Sequence, residues 1–299
     1  HVYLLDNSGN ELWKYKCKAS GGSITGPPVV DFVKIDDLEG YGQKEIIVGA
    51  NWIHVLNADG EVKWEHYMEF RRGSIVGDFT CGAVADVDGD GRKEVLGSFI
   101  TSYPKIQALD AKGKLHENLL NARLGLNIDV PIDMAVISLP GVGQPKYIVS
   151  LDNSKIGIFL HDQKPREEAG GMNRKRFVKM AIYQPDAEKP PTIAAGTSTC
   201  DLFRVSAKPE GQPRHISVGA EWLANLGEKI TALLIEDMDS DGHPELYAGT
   251  KNGSIYAFDL EKGTEIGHKK VFDAPVSATI RAGKDLLIAG HGVWNISER

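Results

Sequence analysis

Short apolar runs alternate with polar, glycine-containing turns along the whole chain. The runs CGAVA and EVLGSF lie on either side of an acidic turn that begins at Asp86, and ITALLIE and ELYAGT flank a second such turn that begins at Asp237. Runs this short, rich in strand-forming residues and bounded by turns, are typical of β-strands rather than helices. The pattern therefore predicts an all-β protein built from strand pairs.

The same strand pair recurs at a regular spacing. Its turns fall near residues 37, 86, 138, 185, 237 and 281, at intervals of 44 to 52 residues. Hairpins with an Asp or Asn turn containing Gly lie at 2–13, 53–64, 106–117 and 255–266. Trp13 and Trp64 end two of these hairpins, at the same position of the repeat. Four short strands in each repeat of about 45 residues describe the blade of a β-propeller.

The repeats predict one β-propeller domain of four-stranded antiparallel blades over residues 1–299. Five complete blades are expected at 28–66, 74–120, 130–167, 175–218 and 228–270. A closing blade is expected to combine strands from 274–299 with strands from 1–16. Joining the two ends in one blade closes the ring and removes its free edges. The expected count is six blades, or seven if the natural chain extends beyond these termini.

Two of the turns, DVDGDGRKE at 86–94 and DMDSDGHPE at 237–245, share a spacing of acidic residues. Alternate carboxylates of a tight loop converge, and a hard cation such as calcium takes about six to eight oxygen ligands. The predicted ligands are the acidic side chains and the backbone carbonyl at the seventh position: Asp86, Asp88, Asp90, Arg92 and Glu94 in one loop, and Asp237, Asp239, Asp241, His243 and Glu245 in the other. An EF-hand is excluded, because Gly97 or Ala248 stands where its bidentate Glu is needed. A polar turn that binds no metal is the alternative.

A weaker copy of this loop lies at 37–45. Asp37, Glu39 and Glu45 keep acidic positions, but Tyr41 replaces a central carboxylate. The loop is therefore a weaker candidate for metal. The turns LPGVGQP and QPDAEKPP use Pro and Gly instead and are expected to bind none.

Two groups of segments resemble known propeller families. VADVDGDGRKEVLGS and IEDMDSDGHPELYAGT resemble the FG-GAP/VCBS repeats of calcium-supported β-propellers, the class that includes integrin α-chain heads. LDNSGNELW and LNADGEVKW are similar to the outer strands of PQQ-type repeats, where the Trp docks one blade against the next. Together they cover nearly the whole chain. The resemblance implies structural calcium in loops between the first two strands of a blade, on the face away from the usual ligand surface.

The opposite face is where propellers usually bind ligands, on loops between the second and third strands and on connections between blades. The candidates that the sequence offers there are Trp52, Arg71, Arg72, Tyr103, His291 and Trp294. The aromatic rings could stack on a sugar, the arginine pair could clamp a carboxylate or sulfate, and the histidine could act as an acid or base. The alternatives are that the two tryptophans pack between blades, that the arginines are solvated, and that the histidine is structural.

Two functions from different classes remain. The first is a secreted, calcium-stabilised propeller that binds a carbohydrate or protein ligand on its loop face. The second is a polysaccharide lyase that cleaves uronic-acid polymers by β-elimination. In that reaction Arg71 or Arg72 would neutralise the uronate, and His291 or Tyr103 would move protons. No spacing ties these residues together, so recognition is favoured and catalysis stays open.

The composition removes several other classes. A net charge of −7 argues against general binding of nucleic acid or membrane surfaces, and no apolar run approaches a membrane helix. The three cysteines, Cys17, Cys81 and Cys200, show neither metal nor disulfide spacing. GxSxG, P-loop, HExxH and Rossmann patterns are absent from the sequence. The expected location is extracellular or periplasmic, where calcium is plentiful, and the chain is compatible with an origin in a larger multidomain protein.

Overall fold

The computed structural model describes residues 1–6, 9–18, 28–67, 79–99, 105–116, 122–123, 131–139, 146–151, 156–160, 167–169, 177–186, 188–210, 212–282, 285–290 and 293–297. Every regular element within these ranges is a β-strand. None of the described residues belongs to a helix with the length and apolar character of a membrane span. The predicted all-β class is therefore confirmed.

The strands are grouped into antiparallel sheets that follow the order of the chain. An N-terminal sheet contains β1 (Val2–Leu5) and β2 (Glu11–Tyr15). Sheet I contains β3 (Phe32–Asp36), β4 (Glu45–Gly49), β5 (Ile53–Leu56) and β6 (Val62–His66). Sheet II contains β7 (Phe79–Ala85), β8 (Glu94–Phe99), β9 (Lys105–Leu109) and β10 (Ala122–Arg123). Sheet III contains β11 (Asp133–Ser138), β12 (Lys146–Leu151), β13 (Ile156–Leu160) and β14 (Glu167–Ala169).

The remaining sheets lie in the C-terminal half of the chain. Sheet IV contains β15 (Phe177–Tyr183), β16 (Thr192–Thr197), β17 (Asp201–Glu210) and β18 (Gln212–Asn225). Sheet V contains β19 (Ile230–Glu236), β20 (Glu245–Thr250), β21 (Ser254–Asp259) and β22 (Thr264–Lys270). A C-terminal sheet contains β23 (Ala278–Ala282), β24 (Asp285–Ala289) and β25 (Val293–Ser297).

The expected four-stranded antiparallel sheets are present. Each of sheets I to V is a meander whose neighbouring strands are consecutive in the chain. Some outer strands run past the blade ends expected from the sequence: β18 reaches Asn225 rather than 218, and β10 lies beyond residue 120. An outer strand can be exposed on both faces, as β22 is along its whole length, so its hydrophobic alternation is weak and its end is hard to read from the sequence.

The chain divides into two compact units. One comprises His1–Val136 with Phe159–Arg166, and the other comprises Ile137–Ile158 with Glu167–Arg299. The N-terminal and C-terminal sheets belong to different units. A single closed domain, the number of blades and their exact limits, and the joining of the two ends stay predictions.

Tryptophan side chains connect neighbouring sheets within the first unit. Trp13 of β2 donates its Nε1–H to the carbonyl oxygen of Ala58, in the β5–β6 turn, at 2.9 Å. Trp64 of β6 makes the same bond to the oxygen of Ala111, also at 2.9 Å, in the hairpin that follows β9. Each ring lies against the turn glycine, since a Cβ built on Gly113 would lie 2.6 Å from the Trp64 ring. The two Trp positions singled out by the repeat therefore fasten one hairpin to the next.

An arginine makes the corresponding contact in the second unit. Arg204 of β17 donates from Nη1 to the carbonyl oxygen of Leu260, in the β21–β22 turn, at 2.5 Å. Leu260 follows the first residue of its turn, as Ala58 and Ala111 do in theirs. The same turn carbonyl is thus satisfied by a guanidinium, whereas the indole of Trp222, on the outer strand of the same sheet, bonds Asp201 instead.

Strand glycines allow close approach of core aromatic residues. A Cβ on Gly49 of β4 would lie 1.9 Å from the Phe32 ring, and a Cβ on Gly82 of β7 would lie 2.3 Å from it. Phe32 therefore fills space that only glycine leaves open, in its own sheet and in the next one. Around it the core of the first unit includes Ile53 and Phe79, each 1% exposed.

Candidate functional site

The two acidic loops occupy equivalent places in two different sheets. Loop 86–94 connects β7 to β8 in sheet II, and loop 237–245 connects β19 to β20 in sheet V, so each joins the first two strands of its sheet. In each loop three aspartates offer carboxylate oxygens that all lie within 4.8 Å of one another. These triads are Asp86, Asp88 and Asp90, and Asp237, Asp239 and Asp241. The structure thus brings together three of the four side chains expected in each set.

Backbone amides hold the first aspartate of each loop in place. Asp86 accepts hydrogen bonds from the N–H groups of Gly89 at 2.6 Å and Gly91 at 3.1 Å. Asp237 accepts from the N–H groups of Asp241 at 3.1 Å and Gly242 at 3.0 Å. The loop must turn sharply to deliver these bonds, and Gly91 and Gly242 do so at φ +88° and +91°. The convergence of the carboxylates is therefore built into the backbone of the loop.

The final glutamate of each loop has a second task. Glu94 is 2% exposed, and its Oε2 accepts the N–H of Val87 at 2.8 Å. Glu245 accepts the N–H of Met238 at 3.2 Å in the same way. Both lie outside the triads whose oxygens converge within 4.8 Å. The role of these glutamates as metal ligands stays a prediction, as does that of the Arg92 and His243 carbonyls.

The electrostatics of both loops favour an added cation. Burial raises the pKa of Glu94 to about 7, and the charges of Asp88 and Asp90 act in the same direction against the Val87 hydrogen bond. Burial also raises the pKa of Glu245, with the charges of nearby aspartates adding to the effect. Burial and, to a smaller extent, the neighbouring aspartates therefore disfavour the charged form of each glutamate, and a bound cation would oppose that effect. A set of carboxylate oxygens at this spacing fits a hard divalent cation such as calcium.

The third loop, 37–45, has a different arrangement. Asp37 accepts amide hydrogen bonds from Gly40 and Gly42, and the Gly42 bond is the main reason that its pKa lies below the usual value. Tyr41 is 74% exposed. The ammonium group of Lys63, on β6, lies 2.6 Å from Glu45 Oε1 and so neutralises a buried carboxylate. Among the described residues this loop does not form a converging triad of the kind found in the other two.

Trp52, an expected ligand residue, lies directly before β5 with its ring partly covered. The ring centroid is 4.5 Å from that of Tyr67, and the Lys18 Nζ lies 5.3 Å from it. The indole Nε1 is buried and has no hydrogen-bond partner in the described part of the chain. This packing supports the structural alternative for Trp52 more than a free platform for a sugar. Its ligand role stays a prediction.

A buried polar cluster lies beside Trp52 and was not expected from the sequence. The Tyr15 hydroxyl donates to Glu65 Oε1 at 2.8 Å, and the Nδ1 of His54 lies 2.9 Å from each of these two oxygens. Lys18 pairs with the other oxygen of Glu65. Burial lowers the pKa of His54, whereas burial and the Glu65 contact raise that of Tyr15. Glu65 Oε1 can only accept, so its contact with His54 is a hydrogen bond when Nδ1 carries the hydrogen, and Nε2 is then a buried acceptor without a described partner.

The other expected ligand and catalytic residues cannot be placed at a site. Arg71, Arg72, Tyr103 and His291 lie outside the described residues. Trp294 lies in β25 opposite Ile288 of β24, and its side chain is also outside the described part. Their roles stay predictions.

The functional groups missed by sequence reasoning come from hairpin strands. Lys63 occupies the same repeat position as His116, whose Nε2 lies 3.1 Å from Asp88 Oδ2. Comparing the ends of the hairpins EVKW and KLHE would have pointed to both residues. His54 and Tyr15 gave no such signal, because one lies in an apolar strand and the other in a polar one.

Comparison with known proteins gives the class of fold. No family model matches the chain, and no curated protein matches it in sequence. Among solved structures it is similar to BBS1N, a β-propeller crystallised in complex with ARL6DN and soaked with lead. That likeness has a TM-score of 0.61 at 17% identity and covers 95% of this chain and 81% of the other. With its succession of four-stranded antiparallel sheets, the chain is therefore of the β-propeller class.

Proposed function

We propose that this protein is a calcium-stabilised recognition propeller, in which loops 86–94 and 237–245 each hold one structural calcium ion. The observation that carries the proposal is the paired aspartate triad, with oxygens within 4.8 Å at the same place in two sheets. Three carboxylates held this close by their own backbone repel one another unless a cation lies between them. Calcium, with its flexible shell of oxygen ligands, matches that donor set better than a metal that prefers nitrogen or sulfur.

The calcium ions would have a structural role. Each loop connects two strands of a sheet, and its acidic residues also cap backbone amides within the loop. An ion at the triad would hold these strand ends together without taking part in chemistry. An extracellular or periplasmic location agrees with this role, because millimolar calcium fills sites of modest affinity.

The ligand is proposed to be a protein, with a glycan as the alternative. The structurally similar BBS1N was crystallised with a partner protein, ARL6DN. The covered ring of Trp52 weakens the case for sugar stacking at that residue. The lyase alternative depends on Arg71, Arg72, Tyr103 and His291, which lie outside the described residues.

Measurements of calcium binding and thermal unfolding test the proposed structural role of calcium. Wild type should bind two ions, and Asp90→Asn and Asp241→Asn should each bind one. If calcium is present at a hundredfold excess over its dissociation constant, each ion adds about 2.7 kcal/mol, or about 5 °C in Tm. Asp59→Asn, at an exposed turn position of sheet I, is the matched control and should keep both ions. A wild type without stoichiometric calcium, or with the same Tm in chelator, contradicts the proposal.

Ligand class is tested separately on calcium-loaded protein. Incubation with a uronic-acid polymer should release no unsaturated products that absorb in the ultraviolet. On a glycan array, the protein should show no binding that depends on Trp52, as judged by comparison with Trp52→Ala. Release of such products would establish the lyase instead. A glycan signal lost in the Trp52 variant would move the assignment from protein to carbohydrate recognition.

A further inference from the structure

One strand position distinguishes the three acidic loops. In sheet I, β5 pairs Val55 with Trp64 and Leu56 with Val62, so Lys63 is the extra residue at a bulge. In sheet V, Ile266 is the extra residue at the matching bulge, between the partners of Ala257 and Phe258. In sheet II the bridge from Leu109 to Leu115 puts His116 at this position. The same place in the blade thus carries a lysine, a histidine and an isoleucine.

Lys63 is directed at the acidic loop of its own sheet. Its Nζ lies 2.6 Å from Glu45 Oε1 and 3.3 Å from Glu39 Oε2. Glu45 is only 3% exposed, and its other oxygen accepts the N–H of Leu38 at 3.0 Å. Both oxygens of this buried carboxylate are therefore satisfied by groups of the chain. The contact to Glu39 ties the third position of the loop to the same ammonium group.

The loop of sheet V has no such charge at that position. Ile266 is apolar and 61% exposed. Its loop carries Asp237, Asp239 and Asp241 with converging oxygens. The loop of sheet I instead has Tyr41 in place of the third converging aspartate. Loss of a carboxylate and gain of an ammonium therefore occur together in sheet I.

We infer that Lys63 is the built-in cation of loop 37–45, which therefore needs no divalent ion, whereas loops 86–94 and 237–245 bind one each. This inference rests on the proposed calcium role of those two loops. An ammonium held by two carboxylates supplies the positive charge that a bound ion supplies elsewhere, and a buried carboxylate deprived of its partner is strongly destabilising. Lys63 thus accounts for a blade that keeps the acidic loop in sequence without its metal.

Replacing Lys63 by methionine, which has a similar length but no charge, tests the inference. Because the Lys63 side chain is 35% exposed, the loss should be smaller than for a fully buried pair, and the folding equilibrium constant should fall by roughly tenfold to hundredfold in chelator. Calcium should restore more stability than it adds to wild type, and the bound calcium should rise from two ions to three. Lys63→Arg, which keeps the charge, should behave like wild type. Lys14→Met removes an exposed lysine of β2 and is the matched control.

Each other outcome decides against the inference or against its premise. The inference is overturned if wild type binds three calcium ions, or if Lys63→Met is as stable as the Lys14→Met control. It is also overturned if Lys63→Met is destabilised but gains no more stability from calcium than wild type does. If Lys63→Met does not fold, Glu45→Gln is added to it. The double variant should fold with two ions, and its failure to fold would also overturn the inference. If wild type binds no calcium, the proposed structural role of calcium is refuted instead.

Discussion

Replacing Gly113 by alanine tests whether the Trp64 ring couples sheet I to the hairpin of sheet II. Gly113 has φ +79°, and a Cβ added there would lie 2.6 and 2.7 Å from two ring carbons of Trp64. Gly9 occupies the same position of the N-terminal hairpin, with φ +84°, but nothing lies within 4 Å of an added Cβ. The chain therefore contains its own control for the backbone part of the effect.

The expected magnitudes separate the two contributions. A left-handed backbone costs alanine about 1–2 kcal/mol, of which about 0.4–1 kcal/mol is offset by the stiffer unfolded chain. Gly9→Ala should therefore destabilise by about 1.6 kcal/mol at most. Gly113→Ala adds an overlap with a packed ring, which typically costs another 1–3 kcal/mol. The difference between the two variants is the energy that the Trp64 contact contributes to the penalty.

Urea unfolding in saturating calcium, followed by circular dichroism, measures these free energies. Trp64→Ala should remove the surplus, so that Gly113→Ala costs about as much in that background as Gly9→Ala costs in wild type. Equal penalties at Gly9 and Gly113 in the wild-type background would refute the packing argument. A Gly113 penalty that survives Trp64→Ala would place its cause elsewhere.

Three further predictions concern other parts of the chain. Burial lowers the pKa of His54, so the stability contributed by the neutral imidazole is fully present above pH 6.5 and is lost as the pH falls. In His54→Gln, the slope of the unfolding free energy in urea against pH should therefore decrease by up to about 1.4 kcal/mol per pH unit. Cys200 has φ +69°, so Cys200→Gly should stabilise by about 0.5–1 kcal/mol in thermal unfolding, whereas Cys200→Ala should not. Arg204→Met removes the bond to the Leu260 carbonyl and should cost about 1.5–3 kcal/mol in urea, more than Glu221→Gln, which removes only the partly exposed ion pair. The first argument is contradicted if the pH dependence of stability is the same in His54→Gln as in wild type. The second is contradicted if Cys200→Gly is less stable than wild type, and the third if Arg204→Met and Glu221→Gln lose the same amount of stability.

The sequence predicts the features that recur and misses those that occur once. Turns spaced by about fifty residues were enough to predict antiparallel four-stranded sheets, because strand alternation and turn chemistry are local. The Asp86 and Asp237 loops converge for the same local reason. By contrast, the cluster of Tyr15, His54 and Glu65 joins residues up to 50 positions apart, and its polarity has no periodic signature.

Substitution for a recurring contact is also hard to foresee. In the first unit, the Trp that ends one hairpin bonds the turn carbonyl of the next hairpin. The turn carbonyl at Leu260 is instead bonded by Arg204, from the third rather than the outer strand of sheet IV. The element that recurs between sheets is the turn carbonyl, and it is bonded by an indole in the first unit and by a guanidinium in the second.

Turns that join the first and second strands of a sheet are also hydrogen-bonded to the corresponding region of another sheet. Lys93, in loop 86–94, donates its backbone N–H to the Leu38 carbonyl at 2.8 Å, and its ammonium lies 2.6 Å from Asp36. In the second unit, the Gln184 amide bonds both the N–H and the carbonyl of Ser138, at 2.9 and 2.7 Å. A side-chain amide thus links two turns that have no acidic triad. Because these links need no metal, chelation should loosen the acidic loops locally before it unfolds the sheets that they join.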